Sequence, residues 1–256
     1  MELTPWIGAL RHSHDALRAN VEPLEEDRLR QRSYCSDWSI AQVLSHLGSG
    51  AEIFSLFLEA GLAGTEPPGS DAFPPIWQAW NERGPQAQAT DALAADEALV
   101  KRLESLSPAE RDAIRLQLFG MDLDTAGLAR IRLGEHAVHS WDVAVALDPA
   151  ATVAADAVSL LIDSLGPLIA RAGKPALSPQ TILVTTSKPE RHFVLDTGEP
   201  VRLEPADPGT GGGPRLRLPA EALLRLVYGR LDPEHTPPVE ADGVDVDDVR
   251  RMFPGF

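Results

Sequence analysis

Residues 126–146 constrain this chain more than any other stretch. No proline interrupts them. Leu128, Ile131, Glu135, Val138, His139, Asp142 and Val145 recur at three- and four-residue steps, so on a helix they share one stripe. Such a stripe is where a helix buries apolar side chains, yet this one carries two carboxylates and an imidazole. Glu135 and His139 are four residues apart, which puts their Cβ atoms roughly 5–6 Å from one another on one face. Two ligand groups at that separation can converge on one metal ion, with bonds of about 2.1 Å. A buried carboxylate left alone is expensive, so Glu135 needs a compensating partner. The same spacing also makes an ordinary ion pair on a solvated helix face, so the pair alone does not choose between the two. His136 lies about 100° round the helix from Glu135, and the stripe selects His139 over His136. A metal centre needs a third ligand from elsewhere in the chain.

The whole chain bounds the possibilities. Its 256 residues suit one large domain or two of moderate size, each able to bury a core. A formal net charge of −15 argues against nucleic acid or an anionic membrane surface as the main partner. Cys35 is the one cysteine, which excludes an intramolecular disulfide and fits a reducing cytoplasm. No basic segment followed by an apolar one opens the chain, so no secretory signal is expected. Residues 150–170, the most apolar long run, contain Asp156 and Asp163 and are not expected to span a membrane. A cytoplasmic location follows as the expectation.

Taken in order, residues 6–24 read as a first helix ending near Pro23, with Ile7, Leu10, His14, Leu17 and Val21 on one face. His12 and His14, two apart, cannot both face the same way. Ser39 followed by Gln42 is a capping-box pattern, so a second helix is expected to start there and stop at Gly61. On it Val43, His46, Leu47, Gly50, Phe54 and Phe57 recur at helical spacing, which places His46 in the buried stripe. Cys35 precedes this helix, and nothing in its flanking sequence activates a thiol. Residues 61–75 form a Gly- and Pro-rich loop leading into a short helix whose Trp77 and Trp80 read as exposed. Residues 91–106 give a third helix with Leu93, Leu99, Leu103 and Leu106 inward. Long helices joined by loops imply an antiparallel bundle, in which metal sites arise from inward residues on facing helices. After Pro149 the pattern changes. One more helix over 153–170 is followed by β-like runs at 181–185, 191–195, 200–204 and 214–218. A helix opening at Pro219 and a tail with a short strand and helix complete an α+β domain. The expected organisation is residues 1–149 as a four-helix domain and 150–256 as a small α+β domain with a mainly antiparallel sheet.

The motifs WSIAQVLSHL (residues 38–47) and EHAVHSWD (135–142), in that order, resemble those of the mycothiol-dependent maleylpyruvate isomerase family. LVYGRLDP (226–233) and the closing FPGF (253–256) extend the resemblance over essentially the whole chain. The family pairs a DinB-like four-helix metal-binding domain with a C-terminal domain similar to sterol carrier proteins. The resemblance implies a divalent metal, usually zinc, held by a histidine on the second helix and by the Glu and His of E-x-x-x-H. Those positions are His46, Glu135 and His139 here, none of them substituted. It also implies a C-terminal arginine at the active site, for which Arg230 is the candidate. Two histidines and one carboxylate leave coordination positions open, the pattern of a catalytic site, although Fe(II) or Ni(II) suits the same donors.

The implied cofactor is the low-molecular-weight thiol mycothiol, and the implied partner a small electrophile. A free thiol has a pKa of about 8.5, and coordination to a divalent cation deprotonates it. The enzyme then needs no nucleophile of its own, which fits a chain with one unremarkable cysteine. Addition and expulsion of the thiol gives an isomerase; retention gives an S-transferase. Asp142, one turn beyond His139, is expected either to orient an imidazole or to meet a substrate amine. A non-catalytic small-molecule binder with a residual metal site, or a metal hydrolase on the same bundle, are the alternatives.

Overall fold

The computed structural model describes residues 2–35, 37–118 and 120–255. Met1, Ser36, Phe119 and Phe256, the last in the closing FPGF motif, lie outside the described residues. Two compact units are present, 1–152 and 153–256.

The first unit opens with α1 (Thr4–Val21) and the short α2 (Glu26–Leu29), then α3 (Ile40–Ala63). Ser39 and Gln42 close the capping box on α3, each side chain bonded to the other's backbone N–H. The helix continues past Gly61 and ends at Gly64, which adopts the left-handed conformation that favours glycine (φ 64°). Gly61 is buried within it, against Ile114 and Leu116, so it serves close packing and not termination. Next come α4 (Phe73–Asn81), α5 (Pro85–Glu104) and α6 (Pro108–Ala113). A hairpin that the periodicity did not show, β1 (Leu116–Leu118) with β2 (Met121–Leu123), leads into α7 (Thr125–Leu147). Asp124 caps α7 by accepting from the Gly127 N–H at 2.7 Å.

The four long helices pack in the cyclic order α1, α7, α3, α5. Leu17, Val21, Ile40, Val43, Leu44, Leu47, Ala92 and Val143 form their shared apolar core. Trp80 belongs to that core and is buried, contrary to its exposed reading; Trp77 is the exposed one of the pair. Trp80 lies across Gly48, where any Cβ would overlap the indole, and its Nε1–H donates to Glu52 at 2.8 Å.

The second unit opens with α8 (Ala155–Leu161), a 3-10 turn and α9 (Leu165–Ala172), so the single helix expected over 153–170 is broken into pieces. Pro167 lies in the first turn of α9, where its missing N–H costs nothing. Strands β3 (Thr181–Ser187), β4 (Arg191–Asp196), β5 (Arg202–Pro205) and β6 (Arg215–Pro219) follow. After them come α10 (Ala220–Val227), β7 (Glu240–Asp242) and α11 (Val246–Met252). The sheet order is β5-β4-β3-β6-β7, antiparallel except for the parallel β3–β6 pair. Among the described residues no helix is long and apolar enough to cross a membrane.

Candidate metal centre

Helices α3 and α7 each present a line of less buried positions to the other. On α3 the line is Gln42, His46 and Gly50; on α7 it is Ile131, Glu135 and His139. This corrects the sequence reading, which set His46, Glu135 and His139 in the buried stripes. Neighbouring helices cover α7 on most sides, so its fully buried positions run almost all the way round. The line carrying the candidate ligands is the one that opens. The side chains of His46, Glu135 and His139 remain 36%, 41% and 13% exposed.

The three nevertheless converge. His46 Nε2 is 3.5 Å and His139 Nε2 3.8 Å from the same oxygen of Glu135, Oε2. One donor atom from each lies within 4.8 Å of the other two, close enough to hold a metal ion together. The imidazoles meet edge to face with centroids 4.6 Å apart. Trp38, from the segment before α3, walls one side, 5.4 Å from the His46 ring and 6.4 Å from that of His139.

Asp142 sits beneath the site, wholly buried. Its Oδ2 takes His139 Nδ1 at 2.8 Å and the Cys35 thiol at 3.1 Å. A carboxylate can only accept here, so the Nδ1 of His139 carries the hydrogen and Nε2 keeps its lone pair towards Glu135 and His46. Cys35 is thus tied to the site through Asp142, a link with no signal in its flanking sequence. Burial holds the His139 imidazole below its ordinary pKa, although the Asp142 hydrogen bond opposes this. At neutral pH that favours the ring form able to bind a metal. Partial desolvation between the helices would by itself push the Glu135 carboxyl up. The adjoining His46, with the positive charge of His139 and Arg132 nearby, outweighs it and keeps Glu135 below its usual value. Two imidazoles and one carboxylate, the latter favoured as an anion, match what a divalent cation with open coordination positions requires.

Arg230 lies in the second unit, just past α10, and is buried. Its guanidinium donates to the carbonyl of Tyr228, its backbone N–H to the carbonyl of Arg225 at 2.7 Å, and its own carbonyl accepts from Arg225 Nη1 at 3.1 Å.

A family sequence profile described as the mycothiol maleylpyruvate isomerase N-terminal domain matches residues 10–144, just over half of the chain. The chain belongs to this family. That match spans His46, Glu135, His139 and Asp142. Two solved structures are similar: a mycothiol-dependent maleylpyruvate isomerase, 13% identical with a TM-score of 0.66, and a histidine-to-alanine mutant of that isomerase, 12% identical with the same score. Each alignment covers 90% of both chains, which establishes the helical first unit and the mixed sheet of the second as the isomerase fold. No curated protein sequence matches the chain.

The sequence reading missed a second polar cluster. His14, Asp96 and His136 are buried together inside the bundle with Arg132. Asp96 had no visible signal, because an aspartate next to Glu97 on a helix that also carries Asp91 looks like a solvated position.

Proposed function

We propose that the chain is a cytoplasmic, metal-dependent enzyme that uses mycothiol on a small electrophilic substrate, as an isomerase or an S-transferase. The observation that carries this reading is the convergence of His46, Glu135 and His139 on one partly open point, in a family of mycothiol-dependent isomerases. His46 and His139 would each offer Nε2 to the ion, and Glu135 a carboxylate oxygen. Such an ion, zinc being the first choice, supplies Lewis acidity, which stabilises a bound thiol as its anion well below the usual thiol pKa of about 8.5.

The remaining work falls to the chain. Asp142 holds the ring of His139 in one tautomer and orientation. Glu135 contributes negative charge that offsets part of the ion's, and so limits how tightly an anion is retained. Trp38 keeps water from one side of the opening and offers an aromatic face to a planar substrate. Arg230 is the candidate for binding a substrate carboxylate or a polar group of the thiol, since a guanidinium can meet two acceptors at once. The partial exposure of His46 and Glu135 makes the point between them reachable from solvent.

Elemental analysis joined to a thiol-dependent assay tests the reading. The purified chain should hold about one divalent ion, and His46→Ala, Glu135→Ala and His139→Ala should each lose it. Maleylpyruvate is the first electrophile to supply, with mycothiol added or omitted. Turnover that needs metal but not thiol would turn the assignment towards a metal hydrolase. Full metal content in His46→Ala would remove the ligand set.

A further inference from the structure

Each of the three proposed ligands has a sequence neighbour turned into the bundle, and all three neighbours meet one buried polar network. Leu47 follows His46, and its carbonyl accepts from Arg132 Nη2 at 3.0 Å. The same Nη2 reaches Asp96 Oδ1 at 2.8 Å, and Arg132 stands one turn before Glu135 on α7. His136 follows Glu135, and its Nε2 lies 2.8 Å from Asp96 Oδ2. Ser140 follows His139, and its hydroxyl is 3.1 Å from His136 Nδ1, which Ser13 of α1 also meets at 2.8 Å. His14 Nδ1 completes the set, 2.7 Å from Asp96 Oδ2. Asp96, Arg132, His14 and His136 are all buried.

We propose that this network, with Asp96 as its hub, is a positioning assembly that fixes α3 against α7 so that His46, Glu135 and His139 converge. The proposal rests on the reading of those three residues as metal ligands. Its logic is geometric. A helix fixes the directions of adjacent side chains about 100° apart, so anchoring Leu47, His136 and Ser140 on the inside sets the aim of His46, Glu135 and His139 on the outside. Helix packing through apolar side chains alone tolerates small slides. One buried guanidinium nitrogen donating to both a carbonyl on α3 and a carboxylate on α5 does not, because any slide lengthens one of the two bonds. A buried ion pair gives little net stability over apolar packing, and its best-attested use is to specify one arrangement.

The trio His14, Asp96 and His136 is itself compact enough to hold a cation. Arg132 already neutralises Asp96, however, and a divalent ion beside that guanidinium would leave excess positive charge in a buried place. The network therefore reads as an anchor and not as a second metal centre.

The test compares Asp96→Asn and Arg132→Lys with Leu103→Ala, a buried α5 change outside the network. Cobalt(II) affinity by chelator competition, the visible cobalt spectrum and thermal stability are measured for each. Asp96→Asn is expected to weaken cobalt binding roughly 10-fold or more and to alter the spectrum while the chain stays folded. Leu103→Ala should lower thermal stability and leave both metal readouts unchanged. Arg132→Lys, which keeps the charge but whose shorter side chain ends before the Nη2 position that meets Leu47 and Asp96, should shift the spectrum in the same direction, and decides the matter if Asp96→Asn fails to fold. A folded Asp96→Asn or Arg132→Lys chain with unchanged affinity and spectrum overturns the proposal. So do two ions per wild-type chain with one lost in Asp96→Asn. If wild type binds no cobalt, or His46→Ala binds it as wild type does, the ligand assignment fails first and takes this proposal with it.

Discussion

At the scale of single residues, the spacing Glu135, His139 and Asp142 already showed which groups could act together, and the structure shows how. Asp142 is the buried acceptor behind His139, so its loss should leave the imidazole free to turn. Asp142→Ala is expected to weaken metal binding about 10- to 100-fold, measured by chelator competition. An unchanged affinity would reduce Asp142 to a packing role. Arg230→Lys should lower turnover with metal content and thermal stability preserved, because an ammonium cannot copy the guanidinium fork. Here the two readouts separate the roles: a fall in melting temperature with normal turnover per folded molecule would make Arg230 structural. Glu135 and His139 stood out as a candidate pair because helices restrict spacing and metal-ligand chemistry restricts residue type; His46 was added to them by the family resemblance. Asp96 did not stand out, since its partners Arg132, His14 and His136 come from two other helices.

Among the elements, α3 shows both successes and misses. Its start was written in Ser39 and Gln42, a local signal acting over one turn. Ser39→Ala should destabilise the chain by about 1 kcal/mol, seen as a small fall in melting temperature. Gly48→Ala should cost more, about 1–3 kcal/mol, because the new methyl meets the Trp80 ring and one of the two helices must shift. A Gly48→Ala chain as stable as wild type would mean that Trp80 swings aside freely. The end of α3 was misjudged at Gly61, since a glycine that stops a helix and one that admits a neighbour look alike in sequence. Only the contact with Ile114 and Leu116 tells them apart. The β1–β2 hairpin went unseen because strands of three residues are too short to establish a period.

For the whole molecule, electrostatics give a testable response to acid. Lys101, at 2.9 Å, and Arg11 hold the Glu97 carboxyl at about 2, against an ordinary 4.5, with burial opposing them. Burial would raise the Asp96 carboxyl, but His136, Arg132 and His14 more than offset it and keep it well below its usual value. Both groups bind protons more readily in the unfolded chain, so both lose stabilising contribution in acid; that of Glu97 is complete above about pH 4.5 and is lost as pH falls towards 2. Melting temperature should therefore drop over that window, and Glu97→Gln should flatten the drop; parallel profiles would exclude Glu97 as a contributor. The sequence by itself determined the helical first part, the sheet-bearing second part and the Glu135–His139 spacing, while His46 joined them as a candidate only through the family resemblance. Periodicity, caps and ligand chemistry act within a few residues and are readable from them. The tertiary structure alone decided which side of each helix opens, that Cys35 and Asp142 stand behind His139, and that Asp96 gathers α1, α5 and α7 about one charge. Those facts depend on residues distant in sequence, whose meeting is fixed by how the helices pack.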